Sequence, residues 1–384
     1  MLALLQSDAG TTYAWILFAT TVVAFLISLV LVLSRHTHGH FTMDHAESGA
    51  HKFHVDPTPR VGGIGIYLAL VLAWALLSPS DVQRLLGMIL LAGIPALLFG
   101  LVEDMTKRVG VLPRLLATMV SGLVACLLSG VALSRLDVPL LDWALTWWPL
   151  AVVFTAFAVG GVANAVNIID GFHGLASGTV VLALVTLSVL AFRAGDAPLA
   201  LVCLLVAAAM VGFWLINYPW GKLFLGDGGA YFAGFALAWL AVLLPMRNAS
   251  VSPWASLLVC AYPFIEVVYS IVRRRLQRLS PGDADRHHLH SLLASAFIHR
   301  RFPHWSHGWQ NAAVAPVVWC FVAGPALLAL VFHDDTEVLA VGMLAAVAAY
   351  HHVYQRLARR GESLATLSQA PNGALPVPVP LDPP

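Results

Sequence analysis

Eleven apolar runs, each of about 16 to 22 residues, divide this 384-residue chain almost from end to end. A helix rising 1.5 Å per residue needs roughly 20 residues to cross the hydrocarbon of a bilayer. Hydrocarbon offers no partner to an open backbone, so repeated runs of this length lead to a helical bundle. The runs lie near residues 13–33, 61–77, 87–102, 114–133, 147–166, 178–194, 199–216, 230–245, 254–272, 310–332 and 337–354. With 59% hydrophobic and only 11% charged residues, the chain is far from the composition of a soluble domain. The expected fold is all-α: a polytopic integral membrane protein of about eleven transmembrane helices, with the lipid bilayer as its solvent.

Seventeen of the 21 Lys and Arg residues fall in loops on one side, among them Arg60, Lys107, Arg114, Arg273 and Arg286. Only Arg84, Arg135, Arg193 and Arg247 fall on the other. By the positive-inside rule the N-terminus is outside and the C-terminus cytoplasmic. No Lys or Arg precedes the first run and Arg35 follows it, which argues for a retained helix rather than a cleaved signal peptide. Cys126, Cys203, Cys260 and Cys320 all lie within predicted spans and read as small core residues. There is no internal repeat, no soluble domain and no feature that calls for a nucleic-acid partner.

The polar residues gather at junctions between runs, and all of these junctions face the cytoplasm in this topology. Carboxylates at the edge of hydrocarbon are costly without a partner, so function is sought there. Four loops supply them: Glu103 and Asp104; Asp170, within Asn164-Ala-Val-Asn167-Ile-Ile-Asp170-Gly171; Asp227; and Asp283 with Asp285. Hard oxygens on separate helix ends suit Mg²⁺ when a substrate phosphate completes its shell. Gly226-Asp227-Gly228-Gly229 opens directly into a helix, whose first amides favour an anion; the plainer reading is a glycine-rich loop with a capping Asp.

Asp285-Arg286-His287-His288-Leu289-His290 follows the basic stretch Arg273-Arg274-Arg275. Its arginines oppose a zinc dication and suit a diphosphate, although they also serve as a topology signal. Of six histidines in the first cytoplasmic loop, His54 stands out, three residues before Pro57-Thr58-Pro59-Arg60-Val61-Gly62-Gly63. There the prolines stiffen the approach, and the glycines let the helix start pack tightly or meet a ligand. Glu266, inside a span, reads first as a structural partner of a neighbouring group and second as a cavity residue.

Taken in order, Pro57 to Gly63, Glu103-Asp104, Asn164 to Ala176, Leu225 to Gly229 and Ser280 to His290 resemble the polyprenyl-phosphate N-acetylhexosamine-1-phosphate transferases. The resemblance spans roughly residues 35 to 300. It implies attack of a polyprenyl phosphate on the sugar-bearing phosphorus of a UDP-N-acetylhexosamine, with Mg²⁺ as cofactor, Mn²⁺ as a workable substitute and UMP as the leaving product. By that resemblance Asp104, Glu103, Asp170, His288 and His290 are catalytic, and Asp227, Asp104 and Asp170 hold metal. Asn164, Asn167, Arg60, Gly62, Gly63, Lys107, Arg286 and His54 bind substrate. His173 stands where the family often has a second Asp, and Glu103 replaces the first of a paired aspartate.

The Glu-Asp-x-Thr-Lys-Arg stretch is nearer the branch that initiates surface polysaccharides than the peptidoglycan branch. Residues 1–356 are expected to form one transmembrane catalytic domain and 357–384 a disordered cytoplasmic tail, in the bacterial inner membrane. A homodimer is compatible with this reading. The competing class is a secondary transporter of an anionic lipid or nucleotide sugar, which ordinarily carries its polar groups at the bilayer midplane. Sugar choice is expected to reside in residues 273–309, the longest cytoplasmic insert.

Overall fold

The computed structural model describes residues 8–44, 58–280, 285 and 287–369, and each of the eleven apolar runs contains a helix. The bundle comprises α1 (Asp8–Leu33), α2 (Gly62–Leu76), α3 (Asp81–Thr106), α4 (Val111–Ser129), α5 (Trp148–Ile168), α6 (Leu175–Arg193), α7 (Ala197–Asn217), α8 (Gly226–Arg247), α9 (Pro253–Val259), α10 (Ala261–Leu276), the short α11 (Leu289–Leu293), α12 (Val314–Val331) and α13 (Thr336–Gln369). Among the described residues nine helices are long and apolar enough to cross a bilayer. Helix α2 is shorter, at 15 residues, and α9 and α10 meet at a bend of 78°. The one strand pairing described is a two-residue antiparallel ladder, Met43 opposite Pro59 and Asp44 opposite Thr58.

Helix limits follow local chemistry. Ser80 caps α3 by accepting from the Gln83 N–H, and Asp196 caps α7 by accepting from Leu199 N–H. Helix α4 ends on Gly130 in the left-handed region, at φ 69°. Pro95 lies inside α3, and the next amide, Ala96 N–H, donates to Ser121 Oγ of α4 at 3.0 Å.

The core is built around α8, buried over nearly its whole length. With lipid as apolar as any side chain, close backbone approach holds such helices together, and small residues permit it. A Cβ on Gly234 of α8 would press into Ala163 and Val166 of α5, and one on Gly93 of α3 into the Phe232 ring. The periphery is apolar and exposed, as at Leu98, Leu127 and Phe157, the surface expected of a bundle facing acyl chains. Trp143, Trp147 and Trp148 are exposed at the end remote from the acidic junctions, where amphipathic rings suit a headgroup boundary.

Two expectations need correction. The run at 254–272 is not a single straight span: it breaks at Cys260, because the Pro263 ring cannot continue a helix past the carbonyl of Val259. Nor does the tail begin at residue 357. Helix α13 runs through Gln369 and buries Leu357 against the core, and the proline-rich composition begins only at Pro371, in residues 370–384 outside the described part.

Candidate active site

Alternation of the helices brings the ends of α3, α5, α7 and α10 and the starts of α2, α4, α6 and α8 to one end of the bundle. The first turn of α8 is the focus. Its start has four backbone N–H groups with no helical partner, and Asp104, in the last turn of α3, takes two of them. Its Oδ1 accepts from Asp227 N–H and its Oδ2 from Gly228 N–H, both at 2.9 Å. Glycine lets the three elements meet: Gly226 has φ 75°, and a Cβ there would strike the Arg60 carbonyl and the Asp104 carboxylate. The extended segment before α2 is laced to the same turn, with Phe224 N–H donating to the Pro59 carbonyl, Gly62 N–H to that of Phe224 and Gly63 N–H to that of Leu225, at 2.9 to 3.1 Å.

Three donors from three other elements converge on the α8 acid. Asp227 Oδ1 accepts from Arg60 at 3.2 Å and from Asn167 Nδ2 at 3.1 Å, while Oδ2 accepts from Arg114 at 2.6 Å. Tyr231, one turn along α8, donates its hydroxyl to Asn167 Oδ1 at 3.1 Å and thereby fixes which face of that amide meets Asp227. Arg60 also approaches Asp104 to 3.7 Å, and Arg114 approaches Glu103 to 3.8 Å. Glu103 itself closes the α3–α4 loop by accepting from Val109 N–H at 2.7 Å. Asp170 lies just past α5, half-buried; burial pushes its carboxyl up to about 7, with Arg60 opposing and Asp227 reinforcing the shift.

A second cluster adjoins through the turn after Asp170. The His290 ring meets Phe172 edge-on at 5.7 Å, and its Nε2 lies beside Gly171. His288 and His290 stack at 5.2 Å between ring centres and 11° between planes. Behind them is Glu266, fully buried on α10, whose Oε1 lies 3.0 Å from His288 Nδ1 and accepts from Leu289 N–H at 3.1 Å. Asp285 is bound to Ser270, Arg273 and His287 N–H; burial works to raise its carboxyl, and these donors hold it below the ordinary range.

Several residues expected to touch substrate are occupied otherwise. Gly62 and Gly63 face Phe213, Phe224 and Gly229, so they serve helix packing. Asn164 donates to Thr118 Oγ1 at 2.9 Å and to the Gly160 carbonyl at 2.8 Å, tying α5 to α4. Asp104, expected as base and metal ligand, has both oxygens engaged by backbone amides. Lys107 ends α3 in the left-handed region and is exposed. His173, standing where a second Asp was expected, is buried: its N–H donates to Asn311 and its Nδ1 lies 3.0 Å from the Pro219 carbonyl. His54, Asp283 and Arg286 lie outside the described residues. Arg114 was read only as a topology charge and Tyr231 not at all, since each is a lone polar group in an apolar helix.

Among the described residues, no three His, Cys, Asp or Glu side chains form a cage for a cation. The acids still fit Mg²⁺, which takes one or two carboxylates, retains waters and completes its shell with phosphate oxygens. Asp227 and Asp170 are the pair with that character, and the two guanidinium groups beside them suit phosphate as well.

Residues 86–245 match the model of glycosyl transferase family 4, a stretch that includes Glu103, Asp104, Arg114, Asn167, Asp170 and Asp227. A Bacillus subtilis protein named probable undecaprenyl-phosphate N-acetylglucosaminyl 1-phosphate transferase is 27% identical over 253 residues, covering 65% of this chain and 69% of that protein. The undecaprenyl-phosphate alpha-N-acetylglucosaminyl 1-phosphate transferase of Yersinia pestis is 27% identical over 250 residues, covering 64% and 68%. Its namesake in Salmonella typhi is 28% identical over 250 residues, covering 64% and 67%.

Proposed function

We propose that the chain, whose residues 86–245 match the model of glycosyl transferase family 4, is a member of that family and transfers an N-acetylhexosamine 1-phosphate from a UDP-sugar to a polyprenyl phosphate of the undecaprenyl type, releasing UMP. The single observation that carries this reading is the convergence of Arg60, Arg114 and Asn167 on Asp227 at the start of a buried helix. Phosphoryl transfer is governed by alignment and by neutralising spread charge, and this is a site of concentrated, opposed charge at one end of a membrane bundle. A lipid phosphate resides at that level, and a nucleotide sugar arrives there from water. In the orientation set by the loop cations, the site faces the cytoplasm of a bacterial inner membrane. A transporter reading gains nothing from an acid–guanidinium cluster placed at a bundle end and not at the bilayer midplane.

In this proposal a lipid phosphate oxygen forms a bond to the sugar-bearing phosphorus as the bond to the UMP oxygen breaks. The acceptor loses its last proton at a pKa of about 6, so it is already charged at neutral pH. Arg60 and Arg114 turn from Asp227 to the diphosphate. Asn167, held by Tyr231, orients the donor, and Asp104 keeps the α8 turn in place. His288 and His290 contact the phosphates from the opposite wall. Asp227 and Asp170 are the residues that would hold Mg²⁺, which would neutralise charge on the diphosphate.

The test is a purified, folded protein supplied with UDP-N-acetylglucosamine, undecaprenyl phosphate and Mg²⁺. UMP and the lipid-linked sugar phosphate are expected, and Asp227→Asn is expected to lower turnover at least about 100-fold. No UMP from any common UDP-N-acetylhexosamine overturns the reading, and an active Asp227→Asn with unchanged Mg²⁺ dependence removes the metal assignment.

A further inference from the structure

The buried acid behind the histidines is drawn into the chemistry by its geometry. A carboxylate in an apolar interior costs several kcal/mol unless it is paired, so an acid kept there needs specific partners. Glu266 is 1% exposed, and the groups facing it come from three elements: Tyr262 on its own helix, His288 and His290 from the segment opening α11, and Tyr350 from α13. Oε1 has two partners, His288 Nδ1 and Leu289 N–H. Oε2 is fully buried with no hydrogen bond, and the His290 Nδ1 lies 3.7 Å away. The Tyr262 hydroxyl lies 3.2 Å from that same Nδ1.

Both imidazoles therefore turn their Nδ1 edges toward one carboxylate. Because the rings are stacked nearly parallel, both Nε2 edges point away from it. His290 Nε2 lies beside Gly171, next to Asp170, and His288 Nε2 lies 3.9 Å from Asp285. A ring nitrogen that donates to a carboxylate fixes the tautomer and leaves the other nitrogen for the reaction. We propose that Glu266 is the positioning residue of the imidazole pair: it holds a proton on Nδ1 of each ring, fixes both rings, and so turns both Nε2 edges to the substrate side, His290 Nε2 at the Asp170–Gly171 turn, where a ring that takes its second proton donates to the anionic substrate. The proposal rests on the transferase reading only for the identity of that anion.

Two measurements decide it. The first compares wild type, Glu266→Gln, His288→Asn and the double variant by UMP release, with thermal unfolding alongside. Glu266→Gln is expected to lower kcat about 10- to 100-fold, the range for removing a partner behind a working histidine, with little change in donor KM. In the His288→Asn background the same change is expected to add little. Wild-type kcat in Glu266→Gln, or losses that simply multiply, overturns the proposal, since a merely structural acid acts without regard to His288. The second needs no Glu266 variant: ¹⁵N-histidine spectra of the wild-type protein, with signals assigned by their loss in His288→Asn and His290→Asn. Protonated Nδ1 at both is the expected result, and a neutral ring protonated at Nε2 with bare Nδ1 overturns it. If the wild-type protein releases no UMP, the transferase reading fails, and the spectra still decide the role of Glu266.

Discussion

Gly226 carries more of the site than its size suggests. Its backbone is left-handed, and an added methyl would meet both the Arg60 carbonyl and the carboxylate that caps α8. Gly226→Ala combines a strained φ with overpacking and is expected to destabilise the protein by about 2 kcal/mol or more. Gly161→Ala, in α5 with open space around it, is the matched control and is expected to be neutral or stabilising by about 0.5–1 kcal/mol. Thermal unfolding of the two in detergent checks the contrast; equal midpoints would remove the crowding argument. At this scale the sequence was legible where polar residues are dense. Asp227 and Asp170 announce themselves by sitting beside glycines at the edges of apolar runs, and Asn167 by lying three residues before Asp170. Arg114 does not, because its charge serves the topology rule equally well and only its position one turn into α4 puts it on Asp227. Asp104 was found for its charge, while its engagement with two amides of another helix is a tertiary fact that spacing along the chain does not contain.

The helices divide the labour between holding and presenting. Helix α8 supplies a buried axis, α3 caps it, and α4 is pinned to α5 by the Asn164 amide reaching Thr118. That pin accounts for Asn164 without any substrate contact. Asn164→Ala is expected to cost about 1 kcal/mol of stability and to leave donor KM unchanged. A raised KM at unchanged stability would restore it to the binding surface. Existence and length of the helices were readable because hydrocarbon imposes nearly one length on them all. The break at Cys260 was not, since its apolar run is continuous and the proline responsible sits three residues later. The extension of α13 past residue 357 was hidden by its charges, which look like the end of a span whether or not the helix stops.

The molecule as a whole is fastened at both ends. At the end remote from the site, Arg247 Nε meets Asp196 Oδ2 at 2.6 Å, and Asn248 adds a further bond, closing the α6–α7 corner onto the foot of α8. Burial tends to raise the Asp196 carboxyl, and Arg247, Leu199 N–H and Asn248 together hold it below the ordinary range. A carboxyl depressed in the folded state stabilises above its unfolded pKa, and that contribution is lost as pH falls through the folded value. Wild type is thus expected to be more stable than Asp196→Asn at neutral pH, with the gap closing below about pH 4. A gap that is constant from pH 7 to pH 3 would show that the clasp is not ionic. The 78° break has a consequence for the other end. Asp227 belongs to the buried axis, whereas the imidazoles and Glu266 belong to the segment that follows the bend at Cys260 and meets the site turn at Gly171 and Phe172. Under the proposed transfer, a donor lying across that seam rivets the segment to the core, and the departure of its nucleotide withdraws the rivet.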